Sequence, residues 1–200
     1  MVLGHVIGMF INPETEWERI RAKSCDIGTC MVTHVLLLAA LPPVAGLVGT
    51  TQIGWRIGAR APVKLTFESG LMLAVAYYLA MIVGVLSIGY TVHWMAQTYN
   101  SQASLGDAVA LAAYTATPLF LIGVMQLYPV LWMNFLVGLP ALAYTVYLLY
   151  TGVPILMRVE PERGFLFSSA VLGVGLVALV SLLAVTALLW GIGFGPSFTH

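Results

Sequence analysis

The chain has 200 residues, 60% of them hydrophobic and 8% charged, and its mean hydropathy is +0.95. Soluble domains carry about 25% charged residues, so this composition excludes an ordinary water-soluble fold. Eight basic and eight acidic side chains cancel, which removes any electrostatic case for a nucleic-acid partner.

Val2–Ile11 is an apolar stretch interrupted by His5. It has no basic flank and no small-residue cleavage site before Asn12, so it is read as an interfacial segment and not as a cleavable signal peptide. Asn12-Pro13-Glu14 has the composition of a helix start: a capping amide, proline in the first turn, then an acid. The helix is expected to run from Pro13 to about Lys23. Trp17 and Ile20 fall on one face, and the helix is expected at the membrane surface with Trp17 as its interfacial anchor.

Between Asp107 and Arg158 there are fifty consecutive residues without Asp, Glu, Lys or Arg. As one helix they would measure about 75 Å, against a hydrocarbon core about 30 Å thick. The run must cross, turn and cross back. Five spans are expected, at about 30–55, 68–93, 107–126, 129–150 and 165–190, with a tight break at Leu127-Tyr128-Pro129. Pro42-Pro43 predicts a kink near Ala39–Pro43, and Pro118 and Pro140 mark two more candidate bends. Gly4-x-x-x-Gly8 and Ser169-x-x-x-Gly173 are small-residue patterns compatible with a homodimer. No internal repeat supports an inverted-repeat transporter. With the N-terminus inside the cell, Arg19, Arg21, Lys23, Arg158 and Arg163 lie inside and Arg56, Arg60 and Lys64 outside, an excess that favours a cytoplasmic N-terminus.

The segments Pro13-Glu14-Thr15-Glu16-Trp17-Glu18-Arg19-Ile20 and Ala113-Tyr114-Thr115-Ala116-Thr117-Pro118-Leu119 resemble the Yip-domain family. Gly49-Thr50-Thr51-Gln52-Ile53-Gly54-Trp55 and Leu188-Leu189-Trp190-Gly191 are similar to its YohC-type bacterial inner-membrane members. The resemblance implies five spans, a cytosolic N-terminus and a multi-pass protein of the bacterial inner membrane. In eukaryotes the family is linked to Rab GTPases and vesicle trafficking through binding and not catalysis. This chain lacks the long cytosolic N-terminal domain of those members, and it has Ala113-Tyr114 where they tend to have Gly-Tyr.

Cys25, Cys30 and His34 form C-x4-C-x3-H, two cysteines too close in sequence to staple distant elements. Cys30 and His34 share a helix face, and thiolate and imidazole suit zinc or another transition metal. In the N-in arrangement His93 and Asp107 flank a loop on the same side, so Cys30, His34, His93 and Asp107 are the candidate metal ligands. The competing readings are ordinary ones: a span-end histidine bonded to a neighbour, an inert cysteine, and Asp107 and Glu68 as acids at helix starts. No H-E-x-x-H, P-loop or G-x-S-x-G motif occurs.

The expected architecture is all-α: a polytopic membrane protein with an N-terminal interfacial segment (1–29), a five-helix transmembrane domain (30–193) and a tail (194–200). The expected function is that of a non-enzymatic membrane organisation or interaction factor. Its partners would be the lipid bilayer and either other membrane proteins or a second copy. The alternative is binding or transport of a small solute or metal ion at the cytoplasmic face.

Overall fold

The computed structural model describes residues 2–23, 27–56, 61–99, 101–193 and 195–199. Cys25, Asp26, Arg60 and Asn100 lie outside the described residues, and the side chain of Cys30 is likewise not described. Among the described residues five helical segments are long and apolar enough to cross a membrane: Met31–Ile53, Phe67–Tyr99, Leu105–Leu127, Leu131–Met157 and Pro161–Gly191. They are called the first to fifth spans. Two shorter helices precede them, α1 (Val2–Ile11) and α2 (Pro13–Lys23), and there is no strand among the described residues, only isolated bridge pairs.

The third span is the core of the bundle, with 67% of its apolar window buried, against 6% for the second and fifth spans. Composition explains the difference. Ala108, Ala110, Ala112 and Ala113 keep its surface small, and small side chains let membrane helices approach closely. Its start is a capping box: the Ser104 hydroxyl accepts from the Asp107 N–H at 3.1 Å, and the Asp107 carboxylate accepts from the Ser104 N–H at 2.9 Å.

Proline shapes the spans unequally. The first span breaks at Ala39–Ala40, just before Pro42-Pro43, and the third breaks at Ala116, just before Pro118. A proline ring displaces the carbonyl four residues back and donates no hydrogen bond, so both breaks sit where that rule puts them. The fourth span runs unbroken through Pro140 and on past Pro154 to Met157. It ends about two turns later than its sequence suggests, at Arg158 in the left-handed conformation (φ 54°, ψ 43°).

Alternating spans leave two ends. At one end α2 packs along the fourth span, and the Ser101 hydroxyl donates to the Met157 carbonyl. At the other, the segment after the first span pairs with the turn before the fourth: Arg56 N–H donates to Pro129 O at 3.0 Å, and Leu131 N–H to Arg56 O at 3.3 Å. The C-terminal tail closes on the same segment, with Thr66 N–H to Ser197 O at 3.1 Å and Thr199 N–H to Lys64 O at 2.9 Å.

One expectation for the N-terminal region is corrected. Trp17 is not an interfacial anchor. It is fully buried, against Leu111 of the third span and the bare backbone of Gly152, where a Cβ would come within 2.7 Å of the indole. Its indole N–H donates to the Thr151 hydroxyl at 3.3 Å, while that hydroxyl spends its own proton on backbone carbonyls one turn back. Gly8, half of the first small-residue pattern, serves a contact within the chain: its missing side chain makes room for the Glu16 carboxylate.

Candidate functional site

α1 and α2 form a hairpin whose two arms touch through polar groups. Glu16, on the inner face of α2, is 2% exposed. One carboxylate oxygen bonds His5 Nδ1 of α1, and the other pairs with Arg19 Nη1 at 3.2 Å. A buried carboxylate without partners would cost several kcal/mol. These two contacts are the reason an acid is tolerated there.

α2 in turn is fixed to the bundle in a single register. Trp17 bonds Thr151, and Arg21 reaches the Ile155 carbonyl at 3.5 Å, both pairs having the same offset along the chain. An equal offset means that α2 and the fourth span run in the same direction. α1 is held separately. The Tyr144 hydroxyl donates to Met9 O at 2.7 Å, the Phe10 ring stacks on Tyr144 with centroids 5.2 Å apart, and Val6 and Met9 are buried.

These elements converge on Tyr114 of the third span. Its ring centroid lies 4.3 Å from the imidazole of His34, 5.8 Å from that of His5 and 6.4 Å from the Trp17 ring. His34, in the π-helical first turn of the first span, is 1% exposed. Its Nε2 shares a hydrogen bond of 2.9 Å with the Thr117 hydroxyl, and its Nδ1 has no partner. His34 lies within this π-helical turn, and such turns recur at functional sites. The result is a polar file inside the bundle, from exposed Arg19 through Glu16 and His5 to Tyr114, His34 and Thr117.

Among the described side chains, the file contains one of the candidate metal ligands, His34. His34 meets Thr117, while Asp107 is ten positions earlier in the third span, a separation of about 15 Å along a helix. His34 and Asp107 therefore cannot share one ion. Asp107 is engaged in its capping box and lies 3.9 Å from the Arg158 guanidinium. His93, near the end of the second span, has a buried Nδ1 without a partner. No group of three or more His, Cys, Asp or Glu side chains among the described residues is placed to hold a metal ion, and the Cys30 side chain lies outside them.

Sequence reasoning missed His5 and Glu16. Their pairing spans a helix–turn–helix, and no periodicity within either helix reports it. The available signal was a histidine interrupting an apolar helix and an acid on the same face of α2 as Trp17 and Ile20.

The sequence matches the Yip1 domain over residues 7–182, which takes in Glu16, Trp17, His34, Tyr114 and Thr117. It is 43% identical over 192 residues to the inner membrane protein YohC of Escherichia coli strain K12, covering 96% of this chain and 98% of the relative. The inner membrane protein YohC of E. coli O6:H1 matches to the same extent. No solved structure matches. A family match across most of the chain, with a relative collinear from end to end, places this five-span protein in the Yip1-domain family.

Proposed function

We propose that the protein is a non-enzymatic organising factor of the bacterial inner membrane that works by lateral association with other membrane proteins. The observation that carries this reading is the exposure of the second and fifth spans, whose apolar windows are only 6% buried. They leave two tall apolar faces free, while the chain's own packing is concentrated on the third span. The similarity to an inner membrane protein over almost the whole chain supports the location. The grouping of Arg19, Arg21, Lys23, Arg158 and Arg163 on one side, against Arg56, Arg60 and Lys64 on the other, favours a cytoplasmic N-terminus. In that orientation α2 presents Glu14, Glu18, Arg21 and Lys23 to the cytoplasm as an exposed charged face.

The test is photo-crosslinking in native membranes from single positions at Leu79 of the second span and Leu179 of the fifth. Discrete protein adducts at either position support lateral association. Lipid adducts alone at both would sink it.

A second reading, binding of a small solute or of zinc or another transition metal at the inner end, is favoured by the unpartnered, buried His34 Nδ1. Elemental analysis of the purified protein beside a Cys30→Ala/His34→Ala variant decides it. Near-stoichiometric metal lost in the variant supports the reading, and no metal in either removes it.

A further inference from the structure

α1 does not complete the wall against which it packs. Beside it runs a groove of about 440 Å³ lined by Phe10, Pro118, Leu121, Val137, Pro140 and Tyr144, among others. The walls come from the middle of the third and fourth spans, so the groove opens sideways at the depth of the bilayer hydrocarbon. Its one side-chain polar atom, the Tyr144 hydroxyl, is already spent on Met9 O. Only the acceptor lone pair of that hydroxyl is left for a hydrogen-bonding occupant, and a water-filled groove at that depth is disfavoured.

Size separates the remaining occupants. A helix about 10 Å across is much wider than a hydrocarbon chain, and α1 already takes the helix-sized place beside the third and fourth spans. A single hydrocarbon chain is slender enough to enter.

A second groove, of about 340 Å³, lies between α1 and α2 and shares α1 with the first. Ile7 and Ile11 line its apolar side, and Asn12, Thr15, Arg19 and the Glu16 carboxylate, already bonded to His5 and Arg19, its polar side. The Arg19 side chain is 69% exposed and uses one nitrogen on Glu16. Guanidinium is the side chain best matched to phosphate oxygens.

We propose that the N-terminal hairpin and the third and fourth spans hold one phospholipid, with an acyl chain in the Phe10–Tyr144 groove and its phosphate at Arg19. The lipid would complete the seat of α1 and belong to the fold of the protein in its membrane.

The test is native mass spectrometry of the full chain after extensive detergent exchange, with extracted lipid quantified. The parent should retain about one phospholipid per chain. Ala141→Trp, which fills the groove from the fourth span, should lower retention about tenfold, an affinity change of about 1.4 kcal/mol. Arg19→Gln should reduce it further for anionic lipids than for zwitterionic ones. Leu179→Trp, on the exposed fifth span, should leave it unchanged. Should Ala141→Trp misfold, Ala141→Leu narrows the same groove by three carbons and should give an intermediate loss. Equal lipid in parent and folded groove variants overturns the proposal, as does a parent without lipid. An intermolecular disulfide formed through Ala141→Cys would assign the groove to a second copy and overturn it equally.

Discussion

The imidazole of His34 and the phenol ring of Tyr114 lie 4.3 Å apart, centroid to centroid, in the middle of an apolar bundle. The contact joins the first span to the third, and His5 and Trp17 approach the same ring from α1 and α2. Tyr114 is thus a side chain on which both arms of the N-terminal hairpin and the first span all bear. Removing its ring should loosen all three.

Tyr114→Ala should lower stability by about 3–5 kcal/mol, the range for deleting a buried aromatic side chain. Tyr114→Phe keeps the ring and its contacts and should stay within about 1.5 kcal/mol of the parent. Chemical denaturation in mild detergent, followed by tryptophan fluorescence, reads both. Equal losses in the two variants would assign the effect to the hydroxyl and not to the ring.

Trp17 and Gly152 should behave as a coupled pair. A Cβ on residue 152 would come within 2.7 Å of the indole, so Gly152→Ala should cost about 1–3 kcal/mol through overpacking. In a Trp17→Leu background the same change should cost less, because the indole contacts are gone and the Leu111 methyl, also 2.7 Å from that Cβ, is the clash that remains. A double-mutant cycle measures the coupling, and additive losses would contradict the packing described.

Glu16 should govern the docking of α1. Replacing it with Ala leaves His5 and Arg19 without their shared acceptor and should release α1. Losing one buried, charge-assisted hydrogen bond costs about 1.5–3 kcal/mol. Hydrogen exchange over residues 2–11 should rise in Glu16→Ala while the third span stays protected. Unchanged exchange in α1 would mean that Met9–Tyr144 and the apolar contacts hold it alone.

At the start of the third span, Ser104→Ala should cost about 1 kcal/mol through loss of the cap. Asp107→Ala should cost a similar amount, and the double variant less than the sum, because the two side chains serve one box. Metal content should be the same in Asp107→Ala as in the parent. A metal lost on this substitution would contradict the separation of Asp107 from His34.

Arg158 closes the fourth span with a positive φ of 54°. A side chain in that conformation costs about 1 kcal/mol relative to glycine. Its partner Asp107 is 3.9 Å away, and the guanidinium is half exposed, so that pair offsets only part of the cost. Arg158→Gly should therefore be neutral or slightly stabilising in a thermal melt, by a few tenths of a kcal/mol.

Much of the architecture was legible before any coordinates. Fifty uncharged residues force two crossings whatever their order. Asn12-Pro13-Glu14 and Ser104-Leu105-Gly106-Asp107 announce helix starts because capping is satisfied within four residues. The breaks at Ala39–Ala40 and Ala116 follow from prolines two or three positions on. These features depend on local sterics and on the thickness of a bilayer, and both are written along the chain.

The site depended on more. In α2, the burial of Trp17 and Glu16 was decided by Gly152, Thr151 and His5, none of which is a neighbour in sequence. An amphipathic surface helix and a helix plugged into a bundle have the same pattern of apolar positions; only the partner face distinguishes them. The metal set Cys30, His34, His93 and Asp107 assumed that residues near one end of the bundle lie at one depth. The structure draws His34 inward to Thr117 and leaves Asp107 about 15 Å nearer the end of its span. Sequence by itself determined how many times the chain crosses and where each helix begins, because those follow from local chemistry and length. Which polar side chains meet inside the bundle was decided only by tertiary structure, because the depth and rotation of each span are set by the faces of its neighbours.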